Sequence, residues 1–274
     1  MPEDLPEFPI VGHPPRWRAW DRGAPRPVLA LHCSLAHGGA WAGVAERLQR
    51  VTVTAPDQPG HGRAADWDGR DEIHGLTTGI AMVLAERLGG GGPVDLFGHS
   101  FGATVCLRLA LERPDLVRSL MLVEPVIFAA AKGTAAYEAF RDSHEEIARV
   151  LDQDRETAAA MFHAAWGTGE ALDDLPERSR RYIIDRIHHI PAQNPVLLDD
   201  AAGLLRPGGL ESMKVPVLLV EGADSPPIID AVHSVLAARL PRVTRMIVPG
   251  AGHMVPITHP DLVAHAVQAH LDAA

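Results

Sequence analysis

No apolar stretch in this chain reaches the roughly 18 residues that a membrane-spanning helix needs. The first seven residues are acidic and carry prolines, without the basic start and apolar run of a secretory signal, so export is not expected. Cysteine is scarce: Cys33 and Cys106 are the only two, too few for a disulfide framework, and both are expected as reduced thiols of a cytoplasmic protein. Lysine occurs only at 132 and 214, while arginine and alanine abound, as in GC-rich bacterial coding. Positive charge is also in deficit. With 25 Lys and Arg against 35 Asp and Glu the formal charge is -10, a field that repels phosphate backbones and anionic lipid, which excludes nucleic acid and membrane surfaces as expected partners and favours a small neutral or apolar substrate. No repeat of fixed period occurs.

What the chain does have is alternation. Apolar, β-rich runs at 28–31, 51–55, 94–97, 116–123, 215–220 and 244–248 are mostly continuous, the pattern of strands buried on both faces. Helix-length segments at 39–49, 71–88, 101–112, 228–240 and 260–271 lie between or after them, so the expected class is α/β, a doubly wound and mostly parallel sheet with helices on both sides. Residues 16–20 alternate and predict an exposed, antiparallel edge strand. The alternation stops over 126–213, where segments 135–151, 156–166 and 175–187 predict helices broken by glycine and proline. The expected organisation is therefore a core of residues 1–125 and 214–274 with a helical cap inserted at 126–213.

Val94-Asp-Leu-Phe-Gly-His-Ser-Phe-Gly102 places G-x-S-x-G between an apolar strand and a helix, the context this motif requires. Glycine at 98 and 102 lets the chain reverse at Ser100, where a side chain at either position would strike the neighbouring strand or helix. The serine hydroxyl is then held above the sheet near a helix N-terminus that favours negative charge.

Four segments together resemble the α/β-hydrolase family, and the likeness covers nearly the whole chain outside the insertion. Leu31-His-Cys-Ser-Leu-Ala-His-Gly-Gly-Ala-Trp41 is similar to the family loop that begins His-Gly, with Cys33 in place of that glycine. Asp57-Gln-Pro-Gly-His-Gly-Arg63 resembles its D-x-P-G-x-G-x-S turn, with Ala64 in place of the last serine. Gly98–Gly102 matches the nucleophile elbow, and Pro249-Gly-Ala-Gly-His-Met-Val-Pro256 the histidine loop. The resemblance implies Ser100 as nucleophile and His253 as its base, because a serine hydroxyl is a poor nucleophile near neutral pH until a base takes its proton. It also implies that the N–H groups of Phe101 and Ser34 hold an oxyanion, with Cys33 lining that loop and His32, at its strand end, fixing a loop or lining the oxyanion and substrate site.

Two carboxylates compete for the third place, which keeps the imidazole in its tautomer and stabilises the imidazolium. Asp224, in Glu221-Gly-Ala-Asp-Ser-Pro-Pro227, resembles the family's usual acid position but follows its glycine by two residues where three is common. Glu124, in Val123-Glu-Pro-Val126, ends the preceding strand, reaches one methylene further, and is followed by a proline that keeps the chain extended. The sequence leans to Glu124 and leaves Asp224 open.

Other constellations fail on chemistry. His144-Glu-Glu-Ile-Ala148 lacks the second histidine of a helical zinc site, and the adjacent His188 and His189 lack carboxylate or cysteine partners, so no metal is expected. Gly89–Gly92 precedes a strand, whereas a phosphate-cradling loop follows one. His99 is expected to be structural, and His61 to fix a loop or line the site. Cys106 is expected as a buried apolar group. Trp41, Phe101, Phe128, Tyr137, Phe140, Met161, Phe162 and Trp166 are available for an apolar pocket or for ordinary packing. The expected activity is cofactor-free hydrolysis of a carboxylic ester or related acyl bond through an acyl-enzyme. Carbon–carbon hydrolysis, thioester hydrolysis and lyase or perhydrolysis chemistry run on the same residues, and a non-catalytic ligand receptor is the alternative from another class. The resemblance implies that serine at 100 argues against haloalkane dehalogenase and epoxide hydrolase chemistry, whose relatives carry aspartate there.

Overall fold

The computed structural model describes residues 13–274; the acidic start at 1–7 lies outside the described residues, as does the expected core up to residue 12. Among the described residues the seven strands are Arg16–Asp21 (β1), Pro27–Leu31 (β2), Thr52–Asp57 (β3), Val94–His99 (β4), Val117–Val123 (β5), Val217–Gly222 (β6) and Val243–Val248 (β7). They form one sheet in the order β1-β3-β2-β4-β5-β6-β7. Only β1 runs antiparallel, pairing with β3 at the edge, as the alternation at 16–20 predicts.

The continuous apolar runs follow from two cores, one on each face. Because successive strand side chains point to opposite faces, Leu29, Leu31, Leu96, Leu120 and Leu122 enter one core with the helices Ile73–Gly89, Phe101–Glu112 and Pro227–Arg239. Val28, Ala30, Phe97, Met121 and Val123 enter the other, against the helix Pro260–Ala273. A strand at the centre of such a sheet has no polar face to show.

The expected helix at 39–49 is not continuous. It forms a 3-10 turn at Gly38–Trp41 and a single α turn at Ala42–Ala45, because glycines at 38, 39 and 43 supply little helix propensity. Between β5 and β6 the chain makes a helical excursion containing Ala135–Leu151, Arg155–Trp166 and Glu177–Arg186, followed by short turns at His189–Ala192 and Asn194–Leu197. Part of this excursion has its own small core of Ile147, Ala158, Ala159, Leu172, Ile184, Ile187 and Ile190. Among the described residues no helix is long and apolar enough to cross a membrane.

Candidate active site

Parallel strands deliver their following loops to one end of the sheet, and the chemistry gathers there. Leaving β4, Ser100 takes φ 56° and ψ −118° before the helix begins at Phe101. A methyl group at Gly98 would lie 2.4 Å from Ala103 Cα, and one at Gly102 would lie 2.4 Å from the Leu31 carbonyl oxygen. The first contact is with the helix and the second with β2, so both glycines are dictated by backbone against backbone. Leu35 after β2 (φ 59°) and Glu124 after β5 (φ 53°) are also left-handed without being glycine. Such residues cost about 1–3 kcal/mol each and persist where the surroundings over-determine them. Here those surroundings are the loops around Ser100.

His253 Nε2 lies 3.0 Å from Ser100 Oγ, and Nδ1 lies 2.8 Å from Glu124 Oε2. Glu124 is fully buried. Its second oxygen, Oε1, accepts the Gly222 N–H at 2.6 Å and the Ser225 hydroxyl at 2.9 Å. The carboxylate is therefore held from one side by the loop after β6 and meets the ring with its free oxygen. Asp224, the other candidate, is exposed, and its side chain makes no hydrogen bond to the ring. The physical reason is the short loop: the residue whose side chain turns inward after Gly222 is Ser225, which supports Glu124 from the place where an acid was expected.

His99 is structural. Its Nε2–H donates to the His253 carbonyl at 2.9 Å, and burial pushes its pKa down to about 3, so it anchors the loop as a neutral ring. His32, expected to fix a loop or line the site, is not among the side chains that line the cavity and holds loops instead. Its Nδ1–H donates to the Cys33 carbonyl at 2.7 Å and Nε2 accepts the Gln58 N–H at 3.0 Å, leaving no nitrogen for a ligand. His61 does the same one loop further on, accepting the Leu35 N–H at 3.1 Å and donating to the Pro59 carbonyl at 2.9 Å. Asp57 completes the frame by accepting the Gly38 and Arg63 N–H groups. Cys33 lines the cavity, but burial pushes its thiol up to about 12, so it is a neutral wall and not a thiolate. Cys106 is buried and free.

These rings make the fold acid-sensitive. Burial is the first cause that holds His32, His61 and His99 near a pKa of about 3, against 6.5 for an ordinary histidine. Below pH 6.5 the unfolded chain takes up protons that the folded chain refuses, so stability falls with falling pH by about 1.4 kcal/mol per unit for each ring, until the folded rings titrate near 3. Thermal melts between about pH 7 and pH 5 should show Tm dropping steeply; a flat Tm across that interval would contradict the neutral assignment.

A cavity of about 50 Å³ opens at Ser100, between the sheet and the helical excursion. The sheet side supplies Cys33, Ser34, Ser100, Val126, His253 and Met254. Facing them are Phe128, Phe140, Phe162 and Trp166, four of the eight side chains that the sequence offered for a pocket. Trp41 and Phe101 instead fill the cores, Tyr137 packs behind the wall, and Met161 belongs to the excursion's own cluster. The Trp166 ring meets His253 edge-on with centroids 4.7 Å apart. Ser34 lines the cavity with Ser100, and Phe101 opens the helix that follows it, so the Phe101 N–H belongs to the first-turn donors without an intrahelical partner. His144, set aside as a metal ligand, also lines the cavity, and so do Ile190, Gln193, Asn194 and Leu197, which were missed. The last four lie in or between two four-residue turns, too short to carry a periodic signal. Among the described residues no group of three or more His, Cys, Asp or Glu side chains forms a metal site.

Comparison with known proteins agrees with the fold class. A model of the alpha/beta hydrolase family matches residues 28–266. A lipase, LipV, of Mycobacterium tuberculosis is 38% identical over 103 residues, a stretch spanning 38% of this chain and 38% of that protein. An (E)-2-((N-methylformamido)methylene)succinate hydrolase of Acinetobacter baylyi is 25% identical over 260 residues, covering 92% of this chain and 93% of the relative. Among solved structures, a hydrolase from Pseudomonas aeruginosa superposes with a TM-score of 0.74 over 94% of both chains at 23% identity, a likeness of fold.

Proposed function

Because this chain belongs to the alpha/beta hydrolase family, we propose that it hydrolyses a small, neutral carboxylic ester with Ser100 as nucleophile, His253 as general base and Glu124 as the acid that orients it. The observation that carries this reading is the continuous bonding from Ser100 Oγ through the His253 ring to Glu124, 3.0 Å and 2.8 Å long, at the floor of a cavity. Nδ1–H donates to the carboxylate, which leaves the Nε2 lone pair aimed at the serine proton. His253 takes that proton as Oγ attacks the carbonyl carbon, and the developing oxyanion rests on the N–H groups of Ser34 and Phe101. Collapse expels the alcohol with the proton from His253 and leaves an acyl-serine. Water, deprotonated by the same ring, then releases the acid.

In this reading the helical excursion is a cap that closes the cavity and keeps water out. Size and charge support the substrate class. A volume of about 50 Å³ holds only a few heavy atoms, so the portion of the substrate beside Ser100 is small. None of the side chains that line it is Arg, Lys, Asp or Glu. A carboxylate buried there would lack a cation, which sets the proposed substrate apart from the succinate that the Acinetobacter relative is named for. The test is covalent. A phosphonate ester probe should label Ser100, with burst release of nitrophenol from a short neutral ester; an unlabelled but folded protein would refute the role.

A further inference from the structure

Gln193 stands out among the cavity residues because its hydrogen bonding is incomplete. It is 2% exposed and sits in the wall opposite the sheet, on the stretch between the two short turns. Its Oε1 accepts the Ser34 hydroxyl at 2.8 Å, which ties this wall to the loop after β2. The amide nitrogen, Nε2, is buried and has no partner. Buried amide groups are nearly always bonded, so one left unmade in a cavity wall points to a partner supplied from the cavity. The opposite arrangement exists nearby: His144 Nε2 and Asn194 Oδ1 satisfy one another at 2.9 Å.

Resting on the serine hydrolase reading above, we infer that Gln193 is a specificity residue whose Nε2–H donates to a second, neutral acceptor of the substrate, a keto, amide or ether oxygen distinct from the carbonyl under attack. An amide donor suits an uncharged acceptor, and the absence of Arg or Lys from the lining removes the competing case of a carboxylate. The bond to Ser34 fixes the amide plane, so the donor is held in position before substrate arrives. A site built this way rejects an analogue with a methylene in place of the oxygen, since the amide then stays unpaired when the cavity closes.

The test uses the full chain and two series of nitrophenyl or alkyl esters, one varied in the acyl part and one in the alcohol part. In each, an ether or keto oxygen is compared with a methylene at the same place, and every kcat/KM is normalised to the ester's own rate with hydroxide. In at least one series the oxygen-bearing ester should be favoured by roughly 10- to 100-fold, and Gln193→Leu should collapse that ratio to within about twofold of unity. Gln193→Met, close in volume, serves if the leucine variant does not fold. A wild-type ratio near unity in both series, as a trapped water on Nε2 would produce, overturns the inference, and so does a ratio that survives substitution. Phosphonate labelling of Ser100 in the same preparations separates the two levels. No labelling sinks the hydrolase reading itself, whereas labelling without preference sinks only the role of Gln193.

Discussion

Ser100→Ala is expected to lower kcat/KM on a short activated ester by about 10⁴- to 10⁶-fold, with the folded protein and its melting temperature retained. The loss is large because the proposed bond-forming atom disappears while the base, its carboxylate and the two N–H donors remain. Those remaining groups still polarise a bound carbonyl, so a residual rate above that in water should survive, with no burst and no covalent labelling. Stability should hold because the elbow depends on Gly98 and Gly102 and on the bond from the Ser100 N–H to the Val123 carbonyl at 2.9 Å, none of which involves the hydroxyl. Alanine does inherit the positive φ at 100, so any cost should be that of backbone strain, common to both residues. Turnover within tenfold of the wild type would end the proposal.

Glu124→Gln should be the next most damaging change, by about 10³- to 10⁴-fold in kcat, and the reason lies in which oxygen is pinned. The Gly222 N–H and the Ser225 hydroxyl both donate to Oε1, so a glutamine would turn its carbonyl oxygen to them and its NH₂ toward His253. Nδ1 then becomes the acceptor, the ring proton moves to Nε2, and the nitrogen facing Ser100 can no longer take a proton. Removing a buried carboxylate that accepts three bonds also alters folding, so the comparison must be made on protein with an intact melt. Asp224→Asn, exposed and unattached to the ring, should stay within about twofold of wild-type turnover. A reversed order, with Asp224→Asn the more damaging, would reject the assignment.

Much of the fold was legible for a local reason. A strand buried on both faces is apolar at most positions, so the runs within Val94–His99 and Val117–Val123 announced a central place in a parallel sheet without reference to any partner. The exposed alternation of Arg16–Asp21 announced an edge. The stretch at 39–49 misled because apolar spacing suggested one helix while three glycines shortened it to two turns. His32 carried two readings: a side chain at a strand end takes either the pocket or the frame, and the Gln58 N–H drew it into the frame. Gln193 carried no signal at all, since its meaning is a bond to Ser34, 159 residues away.

The chain alone therefore determined the strands and the elbow, because steric rules acting within a few residues leave a glycine-flanked turn at a strand end little freedom, while the pairing of Ser100 with His253 was implied by the resemblance to a family. Tertiary structure decided which carboxylate faces the ring, which histidines are rigid frame, and which side chains close the cavity. Those outcomes depend on adjacency: β5 and β6 lie side by side, so Gly222 and Ser225 reach Glu124 across a 98- to 101-residue separation in the chain. Spacing along one strand holds no record of what the neighbouring strand will present.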